Sequence, residues 1–204
     1  MQLEWHARVA DVFHAEEYRQ VGKGGKFVSY SPTKLVRNVW NSPPRCLASF
    51  KVESLNEPPF EGVSDDMALF HLRCPCGSAS LHVLGYPNDL VAGYLLCPLS
   101  VQCLVCEKVA PLFDAKEHGY DGEYGHNCEF MGLRGEPRQF DCPECSGVTF
   151  AVYAIFSYEF EGNDAVELEA EQPGRSQDFF DWFTLDVRCE HCGTVSTAAS
   201  YECA

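Results

Sequence analysis

Two short cysteine pairs, Cys142-Pro-Glu-Cys145 and Cys189-Glu-His-Cys192, constrain this chain more than any other feature. Each turn can present two sulfurs to one ion, and two such turns complete the four-sulfur set that a tetrahedral Zn²⁺ accepts. The 43 residues between the pairs must leave and return through a long hairpin or insertion. A disulfide framework or unrelated buried cysteines are the competing readings. Both leave unexplained why close pairs recur with glycine behind them.

A second set lies upstream, in Cys74-Pro-Cys76 and Cys103-Leu-Val-Cys106. In an extended segment, side chains at i and i+2 share a face, so Cys-x-Cys can aim both sulfurs at one ion while Pro75 stiffens the link. The 26 residues between these pairs suffice for a β-hairpin to go out and back. Sequential pairing orders less chain per site than pairing out of order. The expected ligands are therefore Cys74, Cys76, Cys103 and Cys106 for one structural Zn²⁺, and Cys142, Cys145, Cys189 and Cys192 for another. Cys97 and Cys128 stand as substitutes for one of these. Gly77, Gly147 and Gly193 permit positive φ behind the pairs and turn N–H groups toward sulfur, whereas Cys106-Glu-Lys lacks that glycine.

At these paired positions the sequence resembles zinc ribbons, a structural class built from two knuckled β-hairpins around one metal. The resemblance spans roughly Leu69 to Tyr201 and departs from the usual pattern in Cys-Pro-Cys and in the long insertions. It implies metal and fold, and no particular function, because the class serves transcription factors, ribosomal proteins, enzyme appendages and adaptors. The expected fold is mostly β, with a small α component: two zinc-ribbon-like lobes, preceded by an N-terminal strand and a short helix. Met131-Gly-Leu-Arg-Gly-Glu-Pro137 reads as the linker, giving a first lobe over 1–136 and a second, with a long β-hairpin insertion, over 137–204. The two halves suggest a duplicated arrangement.

Twelve cysteines in 204 residues are many for a reducing compartment unless most are ligands. Met1 to Tyr30 is broken by charges and does not resemble a signal peptide, and no apolar run approaches the roughly 18 residues of a membrane span. The expectation is a cytoplasmic protein whose cysteines hold metal rather than disulfides. Charge is unevenly placed. Residues 1–52 carry eight Lys/Arg against four Asp/Glu, leaving seven against twenty-six for the remainder of a chain of net charge −15. Loading two Zn²⁺ onto eight thiolates adds about −4 more. Such a field repels phosphate backbones, so nucleic-acid binding by the ribbons is disfavoured.

Along the chain, alternating Leu3, Trp5, Ala7 and Val9 predict a strand, and Ser31 to Trp40 a short helix ended by Pro43 and Pro44. Val21 to Lys26 is a glycine-rich turn without the order of a phosphate loop. Cys46 reads as a small buried hydrophobe. Leu47 to Leu55 predicts a strand, and Val148 to Phe160 a long one covered on both faces. His191 is expected exposed and Cys203 free. The segment from Asp114 to Cys128, with His118, Asp121, Glu123 and His126, holds groups able to ligate metal or move protons, yet it reads first as a solvated loop. No His-Glu-x-x-His or Gly-x-Ser-x-Gly motif occurs.

The sequence therefore favours a non-enzymatic zinc-binding protein, an acidic module for a protein partner. A basic partner fits best, of the kind an immunity protein meets in a nuclease toxin. The net charge and the aromatic and acidic stretch from Tyr158 to Phe183 motivate this reading. Two alternatives are a hydrolase centred on the His118–His126 loop and a nucleic-acid adaptor using the basic N-terminal segment.

Overall fold

The computed structural model describes residues 30–88, 93–118, 136–158, 170 and 172–203. The expected strand at Leu3–Val9 and the turn at Val21–Lys26 lie outside them. Helix α1, Lys34–Asn41, begins at Thr33, whose hydroxyl accepts the Val36 N–H at 3.2 Å. The N-cap is thus two residues later than Ser31, since Thr33 is the side chain that reaches an orphan N–H. A helix this short is marginal alone. It is held by burying Val36 and Val39 in the main core, with Leu35 and Trp40 packed at the margin. The strand expected from Leu47 begins later, because a 3-10 turn at Arg45–Leu47 precedes β1, Lys51–Ser54.

The fold is mostly β, an antiparallel sheet that curls on itself. Its remaining strands are β2 (Met67–Arg73), β3 (Leu81–Pro87), β4 (Leu95–Cys103), β5 (Val109–Phe113), β6 (Arg138–Gln139), β7 (Phe150–Ser157), β8 (Trp182–Cys189) and β9 (Val195–Glu202). Their pairing repeats. β2 leads through a knuckle into the β3–β4 hairpin, then a second knuckle and closing strand β5. β6 leads in the same way through a knuckle into β7–β8, a second knuckle and β9. In both units the first residue of the hairpin faces the first cysteine of the second knuckle: Leu81 opposite Cys103, and Phe150 opposite Cys189.

The leading strands are exchanged. β2 pairs with β7 of the other unit, and β6 with β3. Leu81 and Phe150, equivalent in the two units, pair with each other in antiparallel sense. This pattern is that of two units about an approximate local two-fold axis, and it lines up Cys103, Leu81, Phe150 and Cys189 on one rung across four strands. All four are buried.

Alternation sets the faces. In β8, Phe183, Leu185, Val187 and Cys189 point into the core while Trp182, Thr184, Asp186 and Arg188 lie on the other face. β7 is covered on both sides: Val152, Ala154 and Phe156 enter the main core, and Tyr153 and Ile155 join Leu69 in a smaller cluster packed by Leu55, Phe60 and Val63. The curl closes where β9 meets β4. The Tyr201 hydroxyl accepts the Cys97 N–H at 2.5 Å and donates to Leu95 O at 3.1 Å. Beneath it Phe113 of β5 stacks on Phe183 of β8 at 4.0 Å, a pair worth about 0.5–1.5 kcal/mol beyond its buried area. Arg45 also ties the early chain to the late one, its Nε lying 2.5 Å from Asp178 Oδ2 and its N–H donating to Oδ1.

Among the described residues of the aromatic and acidic stretch from Tyr158 to Phe183, most rings turn inward and Trp182 is half-buried on the outer face of β8. Tyr158, Phe179, Phe180 and Phe183 are all buried, Phe180 stands edge-on to Phe156 at 4.8 Å, and residues 159–169 lie outside the described set. These rings build the core. None of the described helices is long and apolar enough to cross a membrane.

Candidate metal centres

Every knuckle is a chain reversal closed by its own backbone. At Cys103 the N–H donates to Lys108 O and the carbonyl accepts from Glu107 N, at 3.0 and 2.9 Å. Cys142 makes the same pair of bonds with Gly147 O and Ser146 N, and Cys189 with Thr194 O and Gly193 N. The Cys-Pro-Cys turn is one residue tighter, closed by Ser78 O and Gly77 N. The residue after the second cysteine has positive φ in each: Gly77, Glu107, Ser146 and Gly193. The left-handed position behind Cys145 is therefore Ser146 and not Gly147, and Glu107 takes it without glycine.

These turns bring eight sulfurs into two groups, Cys74, Cys76, Cys103 and Cys106 in the first and Cys142, Cys145, Cys189 and Cys192 in the second, each with its sulfurs within 4.8 Å of one another. In the first, Cys74 and Cys106 approach to 3.5 Å, as do Cys76 and Cys103. In the second, Cys142–Cys192 and Cys145–Cys189 each stand at 3.6 Å. A disulfide needs about 2.05 Å. A tetrahedral ion with Zn–S bonds of about 2.3 Å places sulfurs about 3.8 Å apart, close to what the cages show. Four sulfurs in this arrangement could hold a metal ion, with zinc or iron the chemistry they suit.

Charge is already arranged for it. Burial opposes ionisation of Cys103, but the N–H groups of Cys106 and Val105 and the thiols of Cys76 and Cys74 outweigh it, bringing its pKa down to about 6. The Val105 nitrogen is 3.4 Å from that sulfur. At Cys192 the hydroxyl and N–H of Thr194 do the same work, again to about 6, with Oγ1 3.3 Å from the sulfur. Their partners keep the protons. The Cys76 N–H favours a Cys74 thiolate, yet burial and the neighbouring sulfurs take that group up to about 12. Cys145 goes the same way, the Gly147 N–H outweighed by burial and by Cys192, Cys189 and Cys142. Each cage thus pairs one thiol that ionises readily, Cys103 or Cys192, with one that a cation must deprotonate, Cys74 or Cys145.

Gly147 has a role other than turning. A Cβ there would sit 3.1 Å from Cys189 Sγ and 3.2 Å from Cys145 Sγ, so only glycine lets the chain pass the sulfurs without displacing them. Thr194 was recognisable only as the residue two past Cys192, and nothing in the spacing marks its hydroxyl as a sulfur partner.

Cys97 joins neither cage; it is buried in the main core. Cys128 lies outside the described residues, as do Asp121, Glu123 and His126. His118 ends the short helix α2, Ala115–His118, where its Nδ1 accepts the Asp114 N–H at 3.0 Å and its ring lies 5.8 Å from Phe113. Cys46 is a buried core residue as expected, and Cys203 is buried with its Sγ 3.6 Å from Tyr201 O. His191 is exposed. Comparison of the chain with protein-family models, with curated proteins and with solved structures finds no match.

Proposed function

We propose that this chain is a non-enzymatic binding module whose scaffold is held by two structural Zn²⁺ ions and whose acidic surface engages a basic protein partner. The observation that carries the first part is the closure of both cages: each supplies four sulfurs, the full complement of a structural zinc. A cage with no open position orients chain rather than activates water. Iron suits four thiolates too, and zinc is preferred because it holds tetrahedral sulfur without redox change. Thiolates persist as ligands where thiols stay reduced, which supports a cytoplasmic site of action.

The partner follows from charge. A chain at −15 before metal loading attracts basic surfaces and repels nucleic acid, as an immunity protein facing a basic toxin would require. Elemental analysis of protein purified without added metal tests the scaffold, with two zinc ions expected per chain. Recovery of iron in place of zinc, or of less than one metal ion per chain, would overturn it.

A further inference from the structure

The large hydrophobic side chains exposed among the described residues are three, and all belong to the first metal centre. Leu104 and Val105 form the tip between its last two cysteines, and Val109 opens β5 just beyond, with exposures of 39, 73 and 51%. Burying a Val or Leu side chain is worth about 1.5–3 kcal/mol, so three such side chains gathered on one knuckle form a usable anchor. The local two-fold makes the contrast sharp: the positions equivalent to Leu104 and Val105 are Glu190 and His191 at the second centre. That centre is rimmed by exposed Asp141, Glu144 and Glu190.

The two rims touch. Leu104 N donates to Ser80 O at 3.3 Å, and the Ser80 hydroxyl donates to Glu190 Oε1 at 2.9 Å. An apolar tip and an acidic knuckle are therefore joined through one serine, on chain fixed by both cages. Glu107 and Lys108 at the apolar tip cancel, which leaves the acidic side to set the field.

We propose that this joint surface docks a protein segment with an apolar side chain flanked by lysine or arginine. The apolar residue packs on Leu104, Val105 and Val109, and the basic ones face Asp141, Glu144 and Glu190. The proposal rests on the reading of this chain as a zinc-held module for a basic partner, and it names the face that such a partner uses. Each tetrathiolate zinc carries a net −2, which adds to the attraction for a cationic segment and not for an anionic one.

The test is an amide NMR titration of the full zinc-loaded chain with three synthetic peptides: an amphipathic Leu/Lys peptide, all-Lys of equal length, and a neutral Leu/Ser peptide. The Leu/Lys peptide should bind about tenfold more tightly than either control. Its shifts should centre on Leu104–Val109 and on Asp141, Glu144 and Glu190. Leu104→Ser with Val105→Ser, which keeps both backbone N–H groups, should weaken it about tenfold, with the variant's zinc content and amide spectrum showing that both cages remain intact. Asp141→Asn, Glu144→Gln and Glu190→Gln together should weaken it and flatten its salt dependence.

Equal binding of all-Lys, shifts elsewhere on the chain, or indifference to the serine variants would overturn the docking face. So would a single-stranded oligonucleotide producing the same shifts, or a dimer that the serine variants dissociate. Zinc content measured on every sample separates the two failures: a folded two-zinc protein that ignores the peptide refutes the face alone, and a zinc-free folded protein refutes the module.

Discussion

The two four-cysteine cages are built to one plan and finished in two ways. Both set a cysteine at the end of a four-strand rung, both close their second knuckle with the same backbone pair, and both hold sulfurs at 3.5–3.6 Å. Around that common cage nearly everything differs. The first uses one Cys-Pro-Cys turn with one Cys-x-x-Cys turn, and an apolar rim. The second uses two Cys-x-x-Cys turns, the close approach of Gly147, the Thr194 hydroxyl and an acidic rim. A cage dictates the positions of its sulfurs and of the few groups that touch them; it leaves the outward side chains free. The rims are therefore where the two units carry different information.

The largest expected effect comes from breaking the cages one at a time. Structural zinc supplies roughly 10–16 kcal/mol of apparent binding energy, as much as the ~5–15 kcal/mol stability of a whole domain. Cys103→Ser and Cys189→Ser occupy equivalent rung positions, yet their surroundings are unequal. β7 is flanked by the long ladders to β2 and β8, while β3 has β4 on one side and, on the other, only Arg138–Gln139 of β6 and the single Leu81–Phe150 pair with β7. Cys103→Ser should thus strip protection from β3 and β4, and Cys189→Ser should leave part of β7 protected. Hydrogen exchange on both variants checks this, and equal loss across both units would mean that the shared rung, not the ladders, sets cooperativity.

Gly147 sharpens the comparison next. Its equivalent in the first unit is Ser78, which carries a side chain. Gly147→Ala places a methyl group against Cys189 and Cys145 Sγ and should weaken zinc at the second centre about tenfold, the usual scale for disturbing a ligand's support. Ser78→Ala should leave the first centre nearly unchanged. Competition titration with a chromophoric chelator reads both.

Much of this organisation was legible in the sequence because it is local. Cys-x-x-Cys fixes two sulfurs within one turn, and sequential pairing follows from short closure, so Cys74 to Cys106 and Cys142 to Cys192 could be grouped from spacing. The run Val148–Phe160 announced β7 through its β-branched and aromatic density. What stayed hidden depends on partners far along the chain. The exchange of β2 and β6 between units leaves no trace in either segment, since pattern gives strand but not neighbour. Phe179-Phe-Asp-Trp-Phe183 beside acidic residues looks the same whether its rings face a partner or the core, and only the curl of β5 and β9 around Phe113 decides. The repeated half-sites suggest a duplicated arrangement, and the register is consistent with it, with Cys76 and Cys145 each five residues before the rung residue.

Acidification should separate the centres by a smaller margin. A thiol whose pKa is lowered in the folded protein stabilises it above that pKa and ceases to do so as protons return. With Cys103 and Cys192 both held at about 6, the metal-free cages should lose their thiolates, and zinc should be displaced more easily, as pH falls through that region. The means of lowering differ. Thr194→Val removes the hydroxyl from Cys192 and should move zinc release at the second centre to higher pH, by up to about one unit, with the first centre unmoved. Release followed at both centres during a pH titration would show whether the side chain matters, and coincident curves for variant and parent would assign the whole effect to the Thr194 N–H.

The finest distinction lies in the residue behind each second cysteine. Glu107 and Ser146 take φ of 60° and 56° where Gly77 and Gly193 serve the other knuckles. A side chain in that region crowds the following carbonyl, at about 1–2 kcal/mol, while glycine returns part of the gain as greater freedom in the unfolded chain. Glu107→Gly and Ser146→Gly should each therefore stabilise the zinc-loaded protein by about 0.5–1 kcal/mol in denaturant unfolding. The gain should be alike at both centres, because the strain belongs to the shared knuckle and not to the rim. A gain at Ser146 with a loss at Glu107 would show that the Glu107 side chain makes a compensating contact, and would carry the difference between the two centres inward from their surfaces to the turns themselves.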